Sequence, residues 1–282
     1  MEWQVVLFIA GAVVVLLIIA RLANQFLMHE RMTDALTQRD NPGIGVALAG
    51  YLFGVIMIIT DVLSGPGHAD WVKDAMWVGI YGVGGILFLI FVSTIELRWI
   101  LSKDALKSCR EGNTAAGIAI AGSYIATSQV IAATVSGEGS GGTFVTAIVF
   151  FLVGQITLLL VTVLFRVLTS YKDTEEILKG NVAAALSYAG VMIAVSIIVS
   201  NSIRGDFTDY ETSLKDFGFA MIGVVALYPI RQFLVQGILL GAGFKLYGGA
   251  LDDEISRDKN VSAGVIEAMT YIAAAILATR LF

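Results

Sequence analysis

Long apolar runs alternate with short mixed-charge segments along the whole chain. A helix that spans a bilayer needs about 20 apolar residues at about 1.5 Å each. Eight runs reach that length, at residues 3–27, 43–63, 74–100, 115–135, 143–169, 182–202, 216–244 and 262–281. They fall into pairs, each a long helix, a polar segment, and a helix that opens on an asparagine. The polar segments cover residues 31–40, 102–111, 171–179 and 251–259 and carry both charge signs. They are expected to be solvated linkers, each with at most a short amphipathic turn at the membrane surface.

The asparagine-led stretches align without a gap. They begin at Asn41, Asn113, Asn181 and Asn260. Four positions on stand Gly45, Gly117, Ala185 and Gly264, and eight positions on stand Ala49, Ala121, Ala189 and Ala268. A second small pair follows in three copies, Gly50/Gly54, Gly122/Ala126 and Gly190/Ala194, and the fourth breaks it with Met269. Small residues four apart share one helix face. They let helices approach closely in lipid, where no hydrophobic drive holds helices together. The preceding helices are bulkier, with Phe88, Phe91, Phe150 and Phe151. The expected fold is therefore an all-α membrane protein. Its eight transmembrane helices form four parallel two-helix repeats (1–67, 68–138, 139–206 and 207–282) in a single transmembrane domain, 1–282. The asparagine-led helices lie inside, in a pseudosymmetric bundle, and the others face lipid. Each asparagine is read as a helix N-cap, a role that Asn side chains favour, with ligand contact as the alternative.

Composition agrees. The chain is 57% hydrophobic and 15% charged, against about 25% charged in soluble domains. Net charge is −5, and no basic patch points to nucleic acid. One cysteine, Cys109, excludes an internal disulfide, and two distant histidines, His29 and His68, make no metal set. No metal and no cofactor are expected. The first apolar run has no preceding Lys or Arg and no small-residue cleavage site, so it reads as a retained helix. Lys and Arg number 12 in the asparagine-side loops and 4 on the opposite side. The positive-inside rule then places the asparagine side in the cytoplasm and both termini outside.

The four asparagine-led helices, each behind an acidic-basic segment such as Glu175-Glu-Ile-Leu-Lys-Gly-Asn181, resemble the bacterial membrane family catalogued as "domain of unknown function 350", whose unit is a tandem two-helix hairpin. The resemblance spans the chain as four units. It implies a bacterial inner-membrane location and no known catalytic activity, and it carries over no site residue.

Ionisable residues inside spans mark candidate sites. Glu267 lies seven residues past Asn260, with Thr270 and Tyr271 on the same face. Arg231 lies near the helix-breaking Pro229. Arg21, Glu96 and Arg166 lie toward the asparagine side, and Asp61 toward the other. By depth, Glu267 is expected to pair with Arg21 or Arg166, and Arg231 to lie nearer Asp61. Glu267 is read either as half of a structural ion pair or as a coupling carboxylate. Ser123, Thr127, Gln129 and Thr134 are read as bonds between helices. The glycine-rich stretch 136–142 and the acidic loop from Asp206 to Asp216 are read as outer loops. No catalytic triad or carboxylate pair is visible, so no enzyme is expected. Two functions stay open. One is ion or small-solute transport. The other is a membrane scaffold that docks a cytoplasmic protein, in envelope maintenance. The expected partners are membrane lipids, with a second copy of the chain or a cytoplasmic protein as further candidates.

Overall fold

A computed structural model describes residues 3–28, 32–65, 71–136, 143–204, 207–245 and 247–281. The tip of the glycine-rich loop, Arg31, both histidines and Asp206 lie outside them. Among the described residues the chain is helical, with no strand. One order of elements occurs four times: long helix, short helix, long helix. The twelve helices are α1 (Trp3–Met28), α2 (Met32–Thr37), α3 (Pro42–Ser64), α4 (Trp71–Glu96), α5 (Ala105–Arg110), α6 (Thr114–Ser136), α7 (Phe144–Val167), α8 (Asp173–Leu178), α9 (Val182–Ile203), α10 (Tyr210–Arg231), α11 (Ala250–Ser256) and α12 (Val261–Ala278). Two of them continue as π-helix, α4 through Leu97–Leu101 and α10 through Gln232–Leu239. Eight of the resulting helices are long and apolar enough to cross a membrane. The polar segments are thus helical and not merely linkers.

The asparagines set the geometry where each short helix meets its long partner. The residue before each one has positive φ: Asp40 (45°), Gly112 (99°), Gly180 (82°) and Lys259 (51°). That left-handed step ends the short helix. Each asparagine then accepts a bond at Oδ1 from the next helix's first turn, from Ile44 N, Ala116 N, Ala184 N and Ala263 N. The side-chain amide does a second job. Asn41 Nδ2 donates to Arg110 O (2.7 Å), Asn113 Nδ2 to Ile177 O (2.9 Å) and Asn181 Nδ2 to Ile255 O (2.8 Å). Each of the first three asparagines therefore caps its own helix and clasps the end of the following short helix. Asn260, the last, turns to Glu254 in its own segment.

The asparagine-led helices form a row, α3 against α6, α6 against α9, α9 against α12. The same contact recurs at each step. An ideal Cβ on Gly50 would lie 2.5 Å from that of Ala121, one on Gly122 2.5 Å from that of Ala189, and one on Gly190 2.5 Å from that of Ala268. Real Cβ atoms do not come so close, so only glycine fits. Gly54 backs onto Ser128, Gly117 onto the Gly43 carbonyl and Gly264 onto Ala183. Ala126, Ala185 and Ala194 are buried in the same row. The outer helices fill the grooves: α4 touches α3 and α6, α7 touches α6 and α9, and α10 touches α9 and α12.

The row is open, which changes the inside–outside expectation. Most of α6 and α9 is buried, whereas little more than a third of α3 and a third of α12 is, because each has a neighbour in the row on one flank only. Gly45 meets only Leu36, and Ala49 is exposed, since no inner helix precedes α3. At the other end Met269 stands where the other copies have glycine, and it is 56% exposed.

Candidate functional site

The π-helical end of α10 turns Arg231, Gln232 and Gln236 inward, all fully buried. π segments break the regular side-chain register and are frequent at functional sites. Arg231 is the hub. Its Nε donates to Glu267 Oε1 at 2.6 Å, its Nη2 to Asp252 Oδ1 at 2.7 Å and its Nη1 to Gln232 Oε1 at 2.6 Å. Asp252 Oδ2 accepts from the Ser170 amide at 2.7 Å. Gln232 donates to the Tyr228 hydroxyl, which donates to Leu168 O. Tyr271 is buried close to the same guanidinium. Glu267 Oε2 is buried and has no hydrogen-bond partner. One arginine thus faces two carboxylates.

The expected pairing of Glu267 with Arg21 or Arg166 is corrected here. The α10 span runs from Tyr210 to Leu239, not from 216 to 244. Arg231 therefore lies eight residues from the asparagine-side end of its helix, level with Glu267, which is seven residues past Asn260. Asp61 is not near Arg231. It forms a two-pronged bond with Arg204 at 2.8 and 2.7 Å. Arg21 is exposed on α1, and Thr270 is half-buried outside the Arg231 network.

Arg166 anchors a second node. Its Nε lies 3.2 Å from Asp173 Oδ2, its other nitrogens donate to Ile100 O and Thr174 Oγ1, and its guanidinium lies 5.2 Å from the Tyr188 ring centroid. The two nodes share one plan. Asp173 and Asp252 each lie eight residues before their asparagine, and Tyr188 and Glu267 each lie seven after. Burial pushes the Asp173 carboxyl up to about 6, against the pull of Arg166 and with a smaller push from Glu267. Burial, Asp173 and Glu267 hold the Tyr171 phenol well above its usual range.

Glu96, at the end of α4, is 1% exposed. It accepts from Thr127 Oγ1 at 2.9 Å and, at a long 3.5 Å, from Gln155 Nε2. Among the described residues no Lys or Arg comes within ion-pair distance of it. Thr127 is a bond between helices as expected, but Thr134 bonds its own helix backbone.

Asp173, Asp252, Gln155 and Gln232 were not among the candidate residues. The two aspartates sit in segments that look like solvated linkers. Their signal was their shared place eight residues ahead of an asparagine.

The family model "Domain of Unknown Function (DUF350)" matches residues 2–135, 80–166 and 139–282. Among curated proteins, the chain is 24% identical over 262 residues to a UPF0719 transmembrane protein of Aquifex aeolicus (strain VF5), covering 89% of this chain and 90% of that protein. It is 30% identical over 117 residues to the UPF0719 transmembrane protein YshE of Bacillus subtilis (strain 168), covering 42% of this chain and 78% of that one. No solved structure matches.

Proposed function

The chain belongs to the DUF350 family, and from its buried charges we propose that it is a proton-translocating protein of the bacterial inner membrane, with Glu267 as the exchanging carboxylate. One observation supports this reading above the others: Arg231 serves both Glu267 and Asp252, so one carboxylate charge in the membrane interior is left for a proton to balance. Intramembrane ionisable groups are costly and mark ion pathways and proton relays. Asp252 and Asp173 stand on the short helices that link successive spans on the asparagine side, which puts them on the route we assign from Glu267 to the solution there. The excess of Lys and Arg on that side supports assigning it to the cytoplasm, with both termini outside.

The test is proton flux in proteoliposomes, followed by an internal pH dye, for the parent protein beside Glu267→Gln. Flux that Glu267→Gln abolishes, with the fold intact, supports the proposal. Flux unaffected by the substitution removes Glu267 from it. No flux in the parent favours the scaffold reading, for which one observation speaks: the inner row is closed by glycine–alanine contact at every step.

A further inference from the structure

A separate cluster of buried oxygens lies around Glu96, where α4, α6 and α7 meet. Thr127 is fourteen residues past Asn113, about 20 Å along a helix, and Glu96 is five residues before the end of its span at Leu101, so the cluster lies within a hydrocarbon layer about 30 Å thick. The cluster holds Glu96, Ser123, Thr127 and Gln155, all at least nine-tenths buried. Three of its oxygens make no well-aligned bond, Glu96 Oε1, Ser123 Oγ and Gln155 Oε1, although Ser123 lies close enough to the Glu96 carboxylate to act on it as a donor. Ser93, one turn before Glu96 on α4, is fully buried with a fourth unpartnered oxygen. Buried polar atoms are nearly always paired, and a group of unpaired ones points to something that completes them.

We propose that Glu96, Ser123, Thr127 and Gln155 form a binding site for a dehydrated monovalent metal cation. Hard cations take oxygen ligands from carboxylates, hydroxyls and amide carbonyls, and this set supplies all three. One carboxylate gives one negative charge, which a monovalent ion neutralises. A divalent ion would leave a positive charge unbalanced in the membrane interior, which is costly. A proton on Glu96 would also balance the charge and would bridge Glu96 Oε1 to Ser123 Oγ, but it would leave Gln155 Oε1 and Ser93 Oγ unpaired. The Gln155 amide nitrogen lies 3.5 Å from both Glu96 Oε2 and Thr127 Oγ1. Both contacts are at the limit of hydrogen bonding, and turning the amide over would present its oxygen to the same space. The site shares no residue with the Arg231 node.

The experiment is thermal unfolding of the purified protein in detergent, titrated with NaCl or KCl against choline chloride at equal ionic strength. Sodium or potassium should raise the melting temperature by about 5 °C over choline. Glu96→Gln should raise the concentration for half-maximal effect by about tenfold or more. Ser123→Ala should weaken the response in the same direction, and it carries the test if Glu96→Gln does not fold. Equal stabilisation by choline, or an unchanged titration in both variants, overturns the site. Stabilisation that follows pH and ignores the metal overturns it in favour of a proton. The readout needs no flux, so a failure of the Glu267 proposal leaves it intact, and the reverse also holds.

Discussion

Asp173 and Asp252 hold the same place in successive units of the chain. Each begins or nearly begins a short helix eight residues before an asparagine, each is buried, and each faces an arginine from the long helix before it, Arg166 at 3.2 Å and Arg231 at 2.7 Å. The inner helix supplies the third member, Tyr188 in one unit and Glu267 in the next. Exchange of an aromatic ring for a carboxylate turns a charge-matched node into one with a surplus negative charge.

Removal of Arg231 should be far more damaging than removal of the whole node. Arg231→Met leaves Glu267 and Asp252 buried without a cation, a loss of about 3–5 kcal/mol. The triple variant Arg231→Met, Glu267→Gln, Asp252→Asn should recover most of the melting temperature in detergent. A triple variant no more stable than Arg231→Met would show that the node is not electrostatically coupled.

Asp173 gives a pH dependence whose sign can be worked out. Its folded value of about 6 lies above the ordinary 3.8. The folded state therefore binds more protons between those values, and stability falls as pH rises from about 4 through about 6 and levels off above. The span of the effect is on the order of 2–3 kcal/mol. Melting temperature measured from pH 7.5 to 5 should rise in the parent, and Asp173→Asn should flatten that rise. Equal slopes in the two proteins would contradict the assignment.

The glycine ladder predicts strong position dependence. Gly190→Leu drives a side chain into Ala268, whereas Gly79→Leu enters open space. Overpacking costs about 1–3 kcal/mol or more. Thermal unfolding and monodispersity should collapse for the first variant and hold for the second.

The asparagines separate in the same way. Asn181→Ala loses a cap and the buried bond to Ile255 O, whereas Asn260→Ala loses a cap and an exposed bond to Glu254. A cap is worth about 1 kcal/mol, and the orphaned buried carbonyl adds about 1–2 kcal/mol. Denaturation should rank Asn181→Ala as the worse of the two, and a reversed order would discount the clasp.

Much of this was legible in the sequence because it depends on local spacing. The eight spans, the caps and the small pairs follow from runs and offsets along one helix. The partner of Glu267 was not legible, because depth inferred from hydropathy placed Arg231 on the wrong side of its span. The π-helical end and the earlier start at Tyr210 moved it level with Glu267. The burial of Asp173 and Asp252 was hidden for a different reason. Short polar segments look solvated unless something covers them, and here the clasp of the preceding asparagine reaches the carbonyls of Ile177 and Ile255 beside them.

Met269 sits at the open end of the row, at the position where Gly50, Gly122 and Gly190 each admit the next helix. A surface that accepts its own other end, copy after copy, would polymerise in the plane of the membrane, because a head-to-tail contact that does not close runs on as a filament. The Met269 side chain fills the space that glycine leaves open at the other three steps, so the end of the row differs in shape from the contacts within it.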